Sequence, residues 1–192
     1  MKVYLEITIK PQPEIPRYFL WEKVSQQIHL ALVEIQDENN KAPVGISFPE
    51  YDACQFQLGC KMRLFAEKKE DLEKLAINKW LSRLRDYVHV KSIEPVPEKP
   101  KGYACFRQVK LKGNREKLAR RRAKRKGESF EQALAHYANY EEQQSKLPYI
   151  NMTSLTNGNH FRLFIEKRAV EQPKTGLFSC YGLSNTTTVP LF

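Results

Sequence analysis

The sequence predicts an α+β protein with an N-terminal ferredoxin-like domain and a mixed αβ C-terminal domain that carries an arginine-rich helix. The first half shows strand and helix periodicities in the order strand, helix, strand, strand, helix, strand, which defines the ferredoxin-like motif. Prolines near residue 97 then separate the two halves, and only the second half contains a dense basic run. We therefore expect one domain over residues 1–97 and another over residues 98–192.

Each element of the first half has its own pattern. Apolar and polar residues alternate from Val3 to Ile9, which predicts a strand. Apolar residues spaced three or four apart from Leu20 to Ile35 predict a helix with one buried face. The remaining patterns predict strands at residues 45–48 and 61–65, a helix at 70–84 and a strand at 87–96. This topology is RRM-like, because many RNA-recognition domains share it, but the topology alone does not give a function.

The second half begins after a linker rich in proline that ends near Gly102. Ser129 is a good N-cap with Gln132 three residues later, so we expect a helix that starts near Ser129 with a capping box. Asn157 and Gly158 have the composition of a hairpin turn. The other expected elements are a strand at 103–110, the basic helix at about 115–126, a hairpin over 149–165 and a strand at 178–183.

The positive charge of the chain lies entirely in its second half. Residues 1–100 hold 15 Lys and Arg against 15 Asp and Glu, whereas residues 101–192 hold 17 against 7, which is the full net charge of +10. Residues 115–126 alone contain eight basic residues and one acid. Lys117, Arg121 and Arg125 are four residues apart and share one helix face. This pattern predicts a polyanionic partner.

Nucleic acid is the favoured partner of the basic helix. A helix that binds a membrane surface carries large apolar residues opposite its charges, but this run offers only Leu118 and two alanines. No stretch approaches the roughly 18 apolar residues of a membrane span, and the N-terminus reads as a strand rather than a signal peptide. The four cysteines have no zinc-like spacing and are expected to be reduced thiols in a cytoplasmic protein.

The sequence holds no known phosphate-binding loop, nucleophile elbow or carboxylate cluster with metal spacing, so neither a metal nor a cofactor is expected. Histidine is the side chain whose unperturbed pKa of about 6.5 suits proton transfer near neutral pH. Among the four histidines, His29 lies at the edge of the buried face of the first predicted helix. Its position alone favours an ordinary helix-surface histidine whose ring is half packed.

Segments along nearly the whole chain resemble, in order and spacing, the CRISPR repeat-processing endoribonuclease of subtype I-F systems. They are Tyr-Leu-Glu-Ile at 4–7, His29 with Ala31-Leu32, Gly-Ile-Ser-Phe-Pro at 45–49, Asn-Arg-Glu-Lys-Leu-Ala-Arg-Arg-Arg at 114–122, His-Phe-Arg-Leu-Phe-Ile at 160–165, Cys-Tyr-Gly-Leu-Ser at 180–184 and Val-Pro-Leu-Phe at 189–192. Each motif is weak alone, but the set is specific.

The resemblance implies a metal-independent cut of CRISPR precursor RNA at the 3′ base of each repeat hairpin. A ribose 2′-hydroxyl attacks the adjacent phosphate and leaves a 2′,3′-cyclic phosphate and a 5′-hydroxyl. His29 matches the catalytic histidine of the family, and Ser154 matches the serine that positions the 2′-hydroxyl. Tyr181 matches the tyrosine that orients the histidine. Without the resemblance, Ser154 reads as a turn hydroxyl and Tyr181 as a core aromatic.

The resemblance also implies which residues bind the RNA. Arg121 and Arg125 match the principal phosphate-binding arginines, and Phe161 matches an aromatic residue that stacks below the closing base pair. We include Lys117 and Arg122 as further candidates. The family reads bases with an Arg and a Gln two residues apart, whereas Gln108 and Lys110 occupy those positions here. Arg107 is the alternative base reader, since it gives the right residue type one position earlier.

The implied partners are the precursor RNA, the mature crRNA hairpin, on which the enzyme stays after cleavage, and the other subunits of the type I-F surveillance complex. The same charge pattern and architecture are also compatible with a non-catalytic RNA-binding protein of ribosomal or RNA-chaperone type. That alternative requires nothing of His29, Ser154 or Tyr181.

Overall fold

The computed structural model describes residues 1–52, 58–111, 113–140 and 145–192 and has a mixed α/β architecture. Its contacts form two compact units. The larger unit comprises Met1–Val109 and Pro148–Phe192, and the smaller unit comprises Lys110–Leu147. This division does not follow the expected boundary at residue 97, which stays a prediction.

The larger unit contains strands, helices and one 3₁₀ turn. In chain order they are β1 (Val3–Ile9), α1 (Arg17–Glu34), β2 (Lys41–Ala42), β3 (Gly45–Ser47), β4 (Lys61–Ala66), α2 (Lys69–Lys74), α3 (Ile77–Trp80), the 3₁₀ turn (Ser82–Leu84), β5 (Val88–Val90), β6 (Glu94–Pro95), β7 (Gly102–Val109), β8 (Tyr149–Thr153), β9 (His160–Val170), β10 (Phe178–Ser179) and β11 (Val189–Leu191).

The first sheet has the order β3-β4-β1-β5, with β6 also paired to β1, and all its pairings are antiparallel. The strands predicted from Val3 and at residues 45–48 and 61–65 are confirmed. The predicted strand at 87–96 is instead two short strands, because β5 pairs with Ile7–Ile9 whereas β6 pairs with Val3 and Tyr4.

Helix α1 confirms the predicted amphipathic helix, and its buried face supplies much of the core. Trp21 is fully buried, and its indole N–H donates to the carbonyl of Gly59 at 2.9 Å. The predicted stripe from Leu20 to Leu32 is buried as well. The burial of a large apolar side chain stabilises the fold by about 1.5–3 kcal/mol, so this face fixes where α1 lies. The helix packs against β8, α3 and β1.

The predicted helix at 70–84 is wrong as a single element. The structure divides it into α2, α3 and the 3₁₀ turn, because Ala76 has a left-handed backbone with φ of 46°. That conformation interrupts the helical hydrogen bonds and is usually taken by glycine or asparagine. An alanine therefore gives no sequence signal for this break.

The second sheet has the order β11-β7-β9-β8, and all its pairings are antiparallel. Strand β7 and the β8–β9 hairpin confirm the strand and hairpin predictions. Gly158 adopts a left-handed φ of 67° in the connection, as expected of the Asn157-Gly158 turn. The predicted strand at 178–183 is shorter than expected. Only Phe178 and Ser179 form strand β10, which pairs with β2, and the chain then turns at Gly182. Strands β2 and β11 were not predicted.

The smaller unit holds α4 (Arg115–Lys126) and α5 (Phe130–His136), which pack against each other. The Asn114 side chain accepts the N–H of Lys117, and Gly127 ends α4 with a left-handed φ of 68°. Ser129 and Gln132 form the predicted capping box. Both helices therefore start at local sequence signals, and α4 also ends at one.

Candidate active site

The imidazole of His29 is held by two neighbouring residues that follow β10. Its Nδ1–H donates a hydrogen bond to the carbonyl oxygen of Cys180 at 2.9 Å. The ring of Tyr181 stacks on it, with ring centroids 4.3 Å apart and planes inclined by 10°. Because a carbonyl can only accept, Nδ1 carries a proton, and Nε2 of the neutral ring is left with a free lone pair. Nε2 is the atom that can take up a proton.

Gly182 fixes the loop that carries Cys180 and Tyr181. Its φ of 67° lies in the left-handed region, and a Cβ there would meet Cγ1 of Ile46 at 2.4 Å. The N–H of Ile46 donates to the Gly182 carbonyl at 2.8 Å, which anchors the loop to β3. The N–H of Gly182 donates to the carbonyl of Ser179 at 2.8 Å. Glycine is required here by both the backbone conformation and the close approach.

Tyr181 is a contact residue rather than a titrating one. Burial raises the pKa of its phenol, and the adjacent Cys180 thiol adds to the rise, so the phenol stays uncharged at neutral pH. Burial also raises the pKa of the Cys180 thiol. The ring of Phe161 meets Tyr181 edge-on, with centroids 6.3 Å apart and planes at 77°. The structure therefore brings His29, Tyr181 and Phe161 together.

Ser154 directly follows β8 at the start of the hairpin connection. Its N–H donates to the carbonyl of Asn159 at 2.9 Å, and its carbonyl accepts from Gly158 at 2.8 Å. Met152, two residues earlier, lines a cavity together with His29 and Tyr181. Since alternate residues share one sheet face, Ser154 falls on the side that faces His29. Within the described residues its hydroxyl makes no hydrogen bond, so it is available to a ligand.

The cavity beneath the stacked rings is small and apolar. Helix α1 contributes Ser25 and Ile28 to its wall, and Ser25 is buried with no partner for its hydroxyl among the described residues. The other residues that line it are Ile46, Phe48, Met62, Ile150, Met152, Leu163, Ile165 and Leu183. The His29 ring thus has an apolar support on its buried side.

The candidate base readers lie in three different settings. Arg107 and Gln108 are neighbours on β7 and so project to opposite sheet faces. The guanidinium of Arg107 forms an ion pair with Glu166, its register partner on β9, and this hydrogen bond lowers the pKa of the Glu166 carboxyl. Gln108 lies opposite Ile165 on the face that lines the cavity. Lys110 is exposed and belongs to the smaller unit.

Helix α4 separates its basic residues onto two faces. Lys117, Arg121 and Arg125 are exposed and make no ion pair with any described residue. Arg122 instead forms an ion pair with Glu128, on the side where Ala119 is fully buried. The exposed face is free to meet phosphates, whereas the charge of Arg122 is already matched within the unit.

The four cysteines differ in what the structure shows of them. Cys60, Cys105 and Cys180 have free thiols, whereas Cys54 lies outside the described residues. In the described ranges no group of three or more His, Cys, Asp and Glu side chains could hold a metal ion. Among the described residues, none of the helices has the length and apolar character of a membrane span.

Sequence reasoning missed the Cys180 carbonyl oxygen, which decides the protonation pattern of His29. Every residue has a main-chain oxygen, so the residue type does not show which one accepts a hydrogen bond. His29 and Cys180 are also 151 residues apart in the chain. The only available signal was the neighbouring Tyr-Gly pair, because Gly182 marks a sharp turn that can place a carbonyl.

Comparison with known proteins gives matches across the chain. A family model described as CRISPR-associated protein (Cas_Csy4) matches residues 4–192. Two proteins named CRISPR-associated endonuclease Cas6/Csy4, from Escherichia coli strain UTI89 and Pseudomonas aeruginosa strain UCBPP-PA14, are each 34% identical over the full length of both chains. A solved structure described as an RAMP protein binding different RNA substrates covers both chains in full with 9% identity and a TM-score of 0.37.

Proposed function

The chain belongs to the Cas_Csy4 family of CRISPR-associated proteins, and we propose that it is an endoribonuclease that cuts CRISPR precursor RNA at the 3′ base of each repeat hairpin. The proposed reaction needs no metal ion, because its nucleophile is the ribose 2′-hydroxyl of the substrate itself. The observation that carries the proposal is the hydrogen bond from His29 Nδ1 to the Cys180 carbonyl. Because this hydrogen bond places the proton on Nδ1, Nε2 is free to act as the base.

The proposed step begins when Nε2 of His29 takes the proton of the 2′-hydroxyl. The 2′-oxygen forms a bond to the adjacent phosphorus, and the bond from phosphorus to the 5′-oxygen of the next nucleotide breaks. The products are a 2′,3′-cyclic phosphate and a 5′-hydroxyl, whose oxygen gains a proton from the imidazolium or from water. General base catalysis contributes typically about 10²–10⁴-fold to a rate.

Ser154 and Tyr181 support this step in different ways. The free hydroxyl of Ser154 is able to hydrogen-bond the ribose, and such a contact fixes the 2′-oxygen in line with the phosphorus. Tyr181 covers one face of the His29 ring, and this stack favours the ring orientation that faces the Cys180 carbonyl. Phe161 lies at the edge of this stack and offers an apolar surface for the closing base pair.

In the proposed complex the exposed face of α4 binds the hairpin phosphates through Lys117, Arg121 and Arg125. Guanidinium groups suit bidentate phosphate contacts. Because Arg122 forms an ion pair with Glu128, we expect it to contribute less to phosphate binding than the three exposed residues. Likewise, the ion pair of Arg107 with Glu166 favours Gln108 and Lys110 as the residues that read bases.

The order β3-β4-β1-β5 with α1 and α2–α3 as crossovers supports a ferredoxin-like arrangement for residues 1–97. We also propose that the protein acts in the cytoplasm, keeps the crRNA hairpin after cleavage and joins the other subunits of the surveillance complex. Retention predicts a single turnover per molecule. Rapid release of many products by one molecule would contradict it.

The decisive test is incubation with the repeat hairpin RNA in EDTA. Wild-type protein should cut at one bond, and His29→Ala should lose about 10²–10⁴-fold in rate with the dissociation constant unchanged. His89→Ala is the matched control, because His89 is an exposed histidine on β5. A 2′-deoxy substitution before the cut should abolish cleavage but not binding. Intact RNA with the wild type would favour the non-catalytic RNA-binding alternative.

A further inference from the structure

Helix α1 touches the end of strand β8 through Gln26. The backbone N–H of Thr153, the last residue of β8, donates to Oε1 of Gln26 at 3.3 Å. Gln26 is three residues before His29 and therefore lies on the same helix face. Thr153 directly precedes Ser154. This single hydrogen bond thus joins the two elements that carry the proposed base and the proposed ribose contact.

The strand pairing explains why the Thr153 N–H is available. Strand β8 lies at the edge of the second sheet, where β9 is its one neighbour among the described strands. Ser154 donates to the carbonyl of Asn159, so the backbone of Ser154 faces the partner strand at this position. The next pair, Thr153 with His160, then turns its backbone groups away from the partner strand. Gln26 gives this outward N–H its acceptor.

The orientation of the Gln26 amide follows from its partner. Because Thr153 contributes an N–H, the amide oxygen must face it, and Nε2 must point the other way. Nε2 is buried and has no acceptor among the described residues. On the other side of the strand, the Thr153 hydroxyl lies 3.0 Å from Nδ1 of His160. Thr153 is therefore held by its backbone and by its side chain. The position of Ser154, which directly follows it, is restricted as a result.

We propose that Gln26 is a positioning residue, which sets the place of Ser154 relative to His29 by holding the end of β8 against α1. This inference rests on the proposed function of His29 and Ser154. A buried amide that leaves one donor unsatisfied costs free energy, so a glutamine at this position is not explained by packing alone. A purely structural role of Gln26 is the competing explanation, and it predicts equal losses in cleavage rate and in binding.

The test compares Gln26→Leu, which removes the acceptor, with Gln26→Glu, which keeps an acceptor in the same place. We measure the single-turnover cleavage rate at saturating protein, the dissociation constant and the pH profile of the rate. Gln26→Leu should slow cleavage about tenfold and change the dissociation constant less than twofold. Gln27→Leu is the matched control, because Gln27 is the next residue on the helix and lines a separate groove with Lys79 and Trp80.

Gln26→Glu distinguishes positioning from general damage to the helix. Its carboxylate still accepts the Thr153 N–H, but it adds a negative charge one turn from His29. That charge favours the imidazolium, so the rise of rate with pH should shift to higher pH. Well above the shifted midpoint the rate should return to within about threefold of wild type. If Gln26→Leu does not fold, Gln26→Asn serves instead, because its shorter side chain does not reach Thr153.

A double-mutant cycle completes the test. If Gln26 acts through Ser154, then Gln26→Leu should have almost no further effect in a Ser154→Ala protein. Additive effects, an unchanged rate, or equal losses in rate and binding would each overturn the inference. Failure of wild-type protein to cleave at all would instead reject the proposed function, so the two failures are distinguishable.

Discussion

The His29 site and the basic helix α4 are assembled in opposite ways. Helix α4 is capped by Asn114 and Gly127 and packs against α5, so these partners all lie within one short stretch of chain. The His29 site instead joins α1, the β8–β9 hairpin and the loop at Cys180, and its central hydrogen bond spans 151 residues. A surface for binding a polyanion can be encoded locally, whereas a proton-transfer site needs distant segments at fixed distances.

The comparison predicts that binding and cleavage can be changed separately. Substitutions in α4 should weaken the affinity for RNA and leave the rate at which bound RNA is cleaved unchanged. Substitutions around His29 should do the reverse. The following experiments test this separation.

The largest effect on affinity is expected from removing the two exposed arginines of α4. Arg121→Ala with Arg125→Ala should raise the dissociation constant at least about 100-fold, because each charged hydrogen bond is worth about 1.5–3 kcal/mol. The slope of log affinity against log salt should flatten by about 1.4–1.8 units for two lost phosphate contacts. The measurement is a salt titration of hairpin binding.

Arg122→Ala is the matched control for that titration. Its charge is paired with Glu128, so its loss should alter the salt slope by much less than either exposed arginine. An equal change of slope in Arg122→Ala would show that the two faces of α4 do not differ in function.

The next largest effect is expected at Ser154. Ser154→Ala should slow single-turnover cleavage by about 10–100-fold, the range that one hydrogen bond to a developing charge provides. The dissociation constant should stay within about twofold, since the proposed phosphate contacts on α4 are unchanged. Equal losses in rate and affinity would make Ser154 a binding residue only.

A smaller effect is expected at Tyr181. Tyr181→Leu removes the stack on His29, and an aromatic pair is worth about 0.5–1.5 kcal/mol, so cleavage should slow by up to about tenfold. Tyr181→Phe keeps the stack and should cleave at nearly the wild-type rate. If the phenylalanine variant were as slow as the leucine variant, the hydroxyl rather than the ring would matter.

The smallest effect concerns acid stability of the larger unit. Burial by itself would raise the pKa of Glu6, but hydrogen bonds from Lys91 and Arg63 reverse this and hold the pKa below its usual value. The folded state therefore binds this proton less readily than the unfolded chain. Stability from Glu6 is present above about pH 4.5 and is lost as the pH falls through the lower folded pKa.

Thermal unfolding between pH 3 and pH 7 measures this effect. The melting temperature of Glu6→Gln should be lower at pH 7 and should depend less on pH in the acid range than that of wild type. A parallel pair of pH curves would mean that Glu6 contributes no linked protonation.

Much of the fold was predictable because its signals are local. The alternation from Val3, the buried face of α1, the Asn157-Gly158 turn and the capping box at Ser129 each occupy a few consecutive residues. The errors came where tertiary contacts decide. The helix break at Ala76 has no residue-type signal, and the two-residue strand β2 forms only because β10 lies beside it.

The sequence by itself determined the uneven charge, the exposed basic face of α4 and the resemblance that singled out His29, Ser154 and Tyr181. Charge and helical period depend on residue type and spacing alone. Only the tertiary structure decided which nitrogen of His29 is free, that Arg107 and Arg122 are already paired, and that Gln26 holds the end of β8. Those facts depend on backbone atoms and distances between segments far apart in the chain, and residue types do not record them.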